Sequence, residues 1–491
     1  MASPGCRRGR RPAGLAGLVV LMVAACLAVG PTTPGVADHR QPHQEGSAGA
    51  DAAARRPNIV LVLTDDMRAS ELRWMPRVRK LLVDRGARVE GMISNHPMCC
   101  PARAELLTGQ YAHNSGVHHN NGPDGGYKSL LEPGNHLGRW LERAGYTTGF
   151  TGKFLNGWER RPTIPPGWSW FDAAVARIYD PYGLRLYGHG NPQNFRTGYT
   201  ATVVGRRAVD FVRRHAPEKA PFFLWVNQLA PHDMHVGKAW RRPQPEPRYA
   251  DAYAGSVSPA TQDPAFDERD VSDKPRWIRK RERFPVRLSN GWHRARIRSL
   301  RSVDDQVGAL VKALRQSGEL ANTHIVFASD NGYLLGEHRI MAKNVPYEPA
   351  LQVPFVVRGP GIPRGVVRRS TFELVDVVPT LLQLGGASPG RTLDGRSMLP
   401  ALRRDAPGKS FSLIQGGSSD AAWWWRGVRS GDYKYVRYAS GYEELYDLRE
   451  DPSELRNVAR RPRYGEVLGE YSQKLDILQR CSGASCLAET S

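Results

Sequence analysis

The chain has 491 residues, 40% hydrophobic and 24% charged, which suits a folded α/β protein with one large and one smaller domain. Lys and Arg number 69 against 48 Asp and Glu, a net charge of +21 that favours anionic partners, although a general preference for arginine produces the same excess. No helix-turn-helix, zinc-finger or RNP pattern accompanies the charge, so no nucleic-acid partner is expected.

Residues 1–37 read as an export signal. "RRGRRPAG" supplies positive charge, and residues 13–25 form an apolar run too short to span a bilayer as a mature anchor. The run ends "VAAC" at Cys26, which resembles a bacterial lipobox whose cysteine carries lipid. The competing cut follows "PGVA" at Ala37. Either cut makes the protein extracytoplasmic: secreted, or tied to the outer face of the membrane through Cys26. Residues 38–56 have little to bury and read as a flexible linker. No other membrane-spanning segment is expected.

From residue 57 on, apolar runs predict buried parallel strands, and polar residues follow them. "NIVLVLT" (58–64) runs into Asp65 and Asp66, and "YTTGFTG" (146–152) into Lys153. "FFLWVNQLA" (222–230) runs into Pro231 and His232, and "HIVFAS" (324–329) into Asp330 and Asn331. "VPFVVRG" (353–359) is a fifth run. Helical stretches at 75–86, 137–145 and 301–318 each close on glycine. The alternation predicts a doubly wound, mostly parallel sheet flanked by helices, with ligands at the carboxyl ends of its strands. Residues 236–290, rich in Pro, Arg and Asp, read as a long loop over the site or a poorly ordered insertion. Residues 401–491 read as a C-terminal subdomain: a small antiparallel sheet ("RGVRSGDYKYVRY", "EELYDL") and a closing helix.

Asp65, Asp66, Asp330 and Asn331 are four oxygen donors at two strand ends, with no His or Cys among them in sequence. Such a set suits a hard cation, Ca²⁺ or Mg²⁺. The competing reading is that Asp-Asp and Asp-Asn-Gly form turns after strands. Of the six cysteines, Cys6 and Cys26 lie in the signal region. Cys481 and Cys486 are spaced to close a small loop in an oxidising compartment. Cys99 and Cys100 remain without a distant partner. Pro101 fits the first turn of a helix ending at Thr108-Gly109, so Cys99 sits where the helix dipole favours an anion. Arg103 lies one turn on. A nucleophile in positive potential beside a dication is a hydrolase design for an anionic ester.

"CCPAR" with "LLTG" resembles the signature of the type I sulfatases, of the alkaline-phosphatase-like superfamily, in which the first cysteine is oxidised to formylglycine (3-oxoalanine) by a maturation enzyme. "GYTTGFTGK", "ASDNGYLLGEH", "VPFVVRGPGI" and "WRGVRSGDYKYVRY" are similar to later blocks of that family, so the resemblance runs from about 56 to 486, with 57–400 as the catalytic domain. "PMCCPAR", "GQYAHNSGVHHNN" and "CSGASC" most resemble the N-acetylglucosamine-6-sulfatase branch, which acts on glycosaminoglycans. The resemblance implies one Ca²⁺ held by Asp65, Asp66, Asp330, Asn331 and the modified Cys99. Hydrated formylglycine at 99 is the nucleophile for sulfur. Arg103 stabilises it, Lys153 and Lys343 hold sulfate oxygens, His232 protonates the leaving alcohol, and His113 takes a proton to regenerate the aldehyde. Many members carry His two places after the Lys153 position; Leu155 stands here, which leaves Asn156 as a candidate for that polar role. Two other readings remain: a phosphonate or phosphodiester hydrolase of the same superfamily, and a non-catalytic polyanion-binding protein.

Overall fold

The protein is described from a computed structural model covering residues 55–490, apart from 161, 189, 237, 238, 421 and 422. The expected export signal, the expected lipobox at Cys26 and the expected linker up to residue 54 lie outside the described residues.

The run Asn58–Thr64 forms β1, and all seven residues are buried. Its side chains alternate between two cores: Ile59, Leu61 and Leu63 on one face, Val60 and Val62 on the other. A strand covered on both faces therefore reads as continuous apolar sequence. The other strands of the main sheet follow in chain order: β2 (Ala87–Ile93), β3 (Thr147–Gly152), β4 (Trp170–Ala176), β5 (Tyr182–Gly188), β6 (Asn191–Tyr199) and β7 (Phe222–Asn227). A small hairpin follows, β8 (Met234–Val236) and β9 (Ala239–Arg241), and then β10 (Thr323–Ser329), β11 (Phe355–Arg358) and β12 (Val366–Glu373) return to the sheet. Among the described residues the sheet order is β12-β2-β11-β10-β1-β7-β3-β4-β5-β6. The central five, β10-β1-β7-β3-β4, are mutually parallel. Strand order reverses around β1, which is where such sheets open a crevice at their carboxyl ends.

The helices that cover the sheet are α1 (Cys99–Thr108), α2 (Leu137–Arg143), α3 (Thr200–His215), α4 (Val286–Gln316) and α5 (Val377–Gly385). α1, α2 and α5 pack on the face of Ile59 and Leu61 through residues such as Leu106, Trp140 and Leu381. α3 and α4 pack on the other face; in α4, Val303, Val307, Leu310 and Leu314 recur at helical spacing. Each such fully buried aliphatic side chain stabilises the fold by about 1.5–3 kcal/mol.

Three expectations need correction. The run at 353–359 reads as a parallel strand, yet β11 pairs antiparallel with β10 and with β2. Between β10 and β11 the chain has only one short helix, Glu348–Leu351, and turns back with no long crossover helix. The helix expected at 301–318 starts at Val286 and runs 31 residues. Of the two readings of 236–290, the poorly ordered insertion fails: its described residues include β9, the short helix Arg276–Arg279, and buried Lys274 and Ile278.

A second sheet, β13 (Ser412–Gly417), β14 (Trp423–Arg429), β15 (Tyr433–Tyr438) and β16 (Glu443–Asp447), is antiparallel throughout. It shares a core with α6 (Gly465–Leu478) and with Tyr111, just past α1. No helix among the described residues is long and apolar enough to cross a membrane.

One buried contact ties α4 to the end of β1. Arg296 has no exposed surface. Its guanidinium donates to both Glu71 oxygens, at 2.7 and 2.9 Å, and to the Asp66 carbonyl. Arg296→Met leaves the buried Glu71 carboxylate without its cation, so we expect a loss of about 3–5 kcal/mol in urea unfolding. A loss under about 1 kcal/mol would show that this pair does not anchor the site.

Candidate active site

Register brings the site together. Thr64 on β1 lies beside Ser329 on β10, Leu63 beside Asn227 on β7, and Asn227 beside Gly152 on β3. The residues that follow, Asp65, Asp330 and Lys153, therefore emerge at one level of the sheet. Gly152 has φ +103°, and a Cβ there would lie 1.9 Å from the Asn227 carbonyl oxygen. Only glycine permits this approach, which lets the Lys153 amide donate to that oxygen at 3.2 Å.

α1 carries Cys99 and Arg103 to the same place. Its N-cap, Met98, is extended, and Gly109 closes the helix at φ +68°. All ten helical residues are buried. Cys99 and Arg103 are four apart and share a face. The Cys99 thiol donates to Asp65 Oδ1 at 3.2 Å, and Lys343 Nζ donates to Cys99 Sγ at 2.8 Å. Arg103 reaches Asp65 Oδ2 at 3.2 Å and Asp330 Oδ2 at 2.9 Å, and also donates to Asn227 Oδ1 and the Lys153 carbonyl. Lys153 pairs with Asp65, and Lys343 with Asp66.

Asp66 has φ +68°, a left-handed backbone that costs a non-glycine residue about 1 kcal/mol. Its amide donates to Asp330 Oδ1 at 3.1 Å, as does the Asn331 amide at 2.8 Å. Asn331 Nδ2 donates to Asp66 Oδ1 at 2.7 Å. The four predicted oxygen donors thus converge. Ligating atoms of Asp65, Asp66, Cys99 and His232 all lie within 4.8 Å of one another, so the structure adds the His232 imidazole to the set expected from the sequence. Two buried oxygens, Asp66 Oδ2 and Asn331 Oδ1, accept no hydrogen bond among the described residues. Buried acceptors without donors suit a cation, and carboxylate and amide oxygens suit a hard divalent one.

Charge sets the protonation states. Burial would raise the Asp65 carboxyl, but Lys153, His232, Arg103 and Lys343 outweigh it and hold the group well below the usual carboxylate range. Burial, with Asp65 close by, pushes the Cys99 thiol up to about 12, so an unaltered thiol here is a poor nucleophile. Burial and then Lys343 lower His232 to about 4. Burial and then Asp65 raise Asp330 to about 6.

The cluster opens into a cavity of about 1100 Å³ lined by Asp66, His232, Lys343, Asn156, Tyr179 and Trp240, among others. Asn156 therefore faces the cavity, as the sequence left open. His113 does not come to Cys99. Its Nε2 lies 2.9 Å from the Cys481 carbonyl and its Nδ1 3.1 Å from Gln415 Nε2. Cys481 and Cys486 form a disulfide, and Cys99 and Cys100 are free. His338 is buried against Glu268, with Nδ1 2.7 Å from Oε2. Sequence reasoning missed Asn227, which anchors Arg103, and Tyr179, whose ring lies 5.0 Å from Lys153 Nζ. Neither sits in a motif with chemical character; Asn227 is a polar residue closing an apolar strand, and that was its one available signal.

Comparison with known proteins places these features in context. A family model described as Sulfatase matches residues 57–387, and one described as N-sulphoglucosamine sulphohydrolase, C-terminal, matches 336–481. An arylsulfatase of Volvox carteri is 31% identical over 507 residues, covering 89% of this chain and 76% of that protein. The N-acetylglucosamine-6-sulfatase of Homo sapiens is 28% identical over 508 residues, covering 90% and 88%. A solved protein in complex with D-glucosamine-2-N,6-O-disulfate superposes with a TM-score of 0.71 at 21% identity, over 87% of this chain and 98% of that one.

The unpartnered oxygens generate a prediction. Chelated protein should gain thermal stability when Ca²⁺ or Mg²⁺ is added, by about 2.7 kcal/mol at about one hundred times Kd. Asp66→Asn should abolish the rise in Tm. A wild-type Tm that does not respond to either ion contradicts the cation site.

Proposed function

Because this chain belongs to the sulfatase family and is a sulfuric ester hydrolase, we propose that it removes a sulfate ester from position 6 of glucosamine units in a glycosaminoglycan. The observation that carries the reading is the convergence of Cys99, Lys153, Lys343 and His232 on Asp65 and Asp66 at the mouth of one cavity. Support for the sugar comes from the human N-acetylglucosamine-6-sulfatase and from the solved protein holding a glucosamine disulfate. Support for an extracytoplasmic location comes from the Cys481–Cys486 disulfide, since such bonds persist in oxidising compartments.

Formylglycine made from Cys99 would supply a hydroxyl nucleophile for sulfur, and Ca²⁺ held by Asp65, Asp66, Asp330 and Asn331 would supply positive charge to sulfate oxygens. The remaining work falls to the chain's own side chains. Lys153 and Lys343 flank position 99 and hold sulfate oxygens as negative charge gathers on them. Arg103 keeps Asp65 and Asp330 in place, which fixes the distance between position 99 and the oxygen donors. His232 is oriented by its backbone: Nδ1 lies 2.7 Å from the Asp233 carbonyl and donates to it. Nε2 then faces the cluster, 3.6 Å from Asp66 Oδ2, and a proton carried there passes to the departing alcohol oxygen.

Two measurements test this reading. Parallel assays should show release of sulfate from p-nitrophenyl sulfate and much slower release of phosphate from the corresponding phosphate; the reverse order favours the phosphonate and phosphodiester alternative. Since His232 is held below its ordinary value of about 6.5, kcat/KM should fall as pH rises, along a limb centred below that value. His232→Gln should lower kcat by about 10²–10⁴-fold and flatten the limb. A full limb in that variant would remove His232 from the proton transfer.

A further inference from the structure

The catalytic cavity does not end at its own walls. Trp424 lines it and also lines a neighbouring groove of about 700 Å³. That groove is floored by Trp277, whose ring lies 5.2 Å from Trp424, and by Tyr442. Arg276, Arg279, Lys280 and Arg460 stand along it, all exposed. Trp240, half exposed, lines the cavity and a second groove of about 530 Å³. There Trp292 is joined by exposed Arg241, Arg242 and Arg287. Among the described residues none of these seven cations has a carboxylate within salt-bridge distance. Asp273, two residues before the groove's Pro275, is occupied by Lys274 and by the Asn457 amide.

Unpaired cations beside flat aromatic rings are an unusual use of surface in a soluble protein. Exposed arginines normally pair with acids or scatter, and an aromatic face is normally covered. Rings stack on the faces of sugars, and guanidinium groups hold sulfate and carboxylate in bidentate fashion. Both grooves start at the cavity in which the sulfate is handled. We propose that they hold the sugars on either side of the reacting unit, so that the substrate is a polyanionic glycan chain crossing the cavity rather than a single sulfated sugar or a chain end. This rests on the sulfated-glycan reading above and extends it to the length and charge of the chain.

The test uses a heparin-derived octasaccharide and the matching disaccharide, with Kd measured by calorimetry on the full protein. The octasaccharide should bind about tenfold or more tighter than the disaccharide. R276A/R279A/K280A and R241A/R242A/R287A should each weaken octasaccharide binding about tenfold. R206A/R213A/R214A removes equal charge from α3, outside both grooves, and should leave binding at the wild-type value. Melting curves confirm that each variant is folded. The proposal is overturned if the two saccharides bind alike, if the α3 variant loses as much as the others, or if only one groove responds. Hydrolysis of p-nitrophenyl sulfate, measured alongside, reports on the proposed function separately. A protein that binds the octasaccharide through both grooves yet releases no sulfate keeps the grooves and loses the activity.

Discussion

Three carboxylates, Asp65, Asp66 and Asp330, sit buried at the carboxyl ends of two adjacent strands, and their mutual repulsion is the constraint around which the rest is built. Buried charges of one sign persist only when compensated. Arg103, Lys153 and Lys343 supply three positive charges within the same space. Each cation also serves a second purpose, since Arg103 joins the two strand ends and both lysines flank position 99. A dication held by the unpartnered oxygens of Asp66 and Asn331 would leave net positive charge there to meet the negative charge of a sulfate ester. The burial that makes the cluster costly without partners also makes its field strong for an anion.

The smaller sheet contributes to this site without supplying any of its charged groups. Asn344, next to Lys343, donates to the Gly417 carbonyl, and its own carbonyl accepts from Trp425 Nε1 at 3.0 Å. Gly417 donates to His96, three residues before Cys99, and the Gln415 amide donates to the Asn95 carbonyl. Thus β13 and β14 clamp the two loops that bring Lys343 and Cys99 together. The tryptophan triplet divides its work accordingly: Trp425 is buried as a prop, Trp423 packs on His118, and Trp424 faces the cavity.

The parts of this arrangement that could be read from the chain are those written in local chemistry. Buried runs such as β1 and β10 announce themselves because both faces are covered, and polar residues after a strand mark its carboxyl end. What could not be read depends on distant partners. The sense of β11 follows from the path of residues 330–354, not from four apolar letters. β5 and β6, rich in Gly, Tyr and polar residues, carry little apolar periodicity and extend an edge. His113 follows the Cys99 motif closely in the chain, yet its ring is held by the Cys481 carbonyl and Gln415, partners that lie far away in sequence. The cationic grooves come from 240–292 and from Trp424, Tyr442 and Arg460 of the smaller sheet's region, where arginines and aromatic residues look like ordinary surface until they are seen beside the cavity.

Catalysis on this account depends on residue 99 acting as a converted group held among these charges, because its thiol, pushed up to about 12, is not suited to attack. Mass spectrometry of the peptide containing residue 99, taken from protein that hydrolyses a sulfate ester, tests this most directly. The account predicts that the peptide is lighter than its sequence by the difference between a thiol-bearing CH₂ and an aldehyde. A fully active preparation in which residue 99 is entirely unmodified cysteine would contradict it.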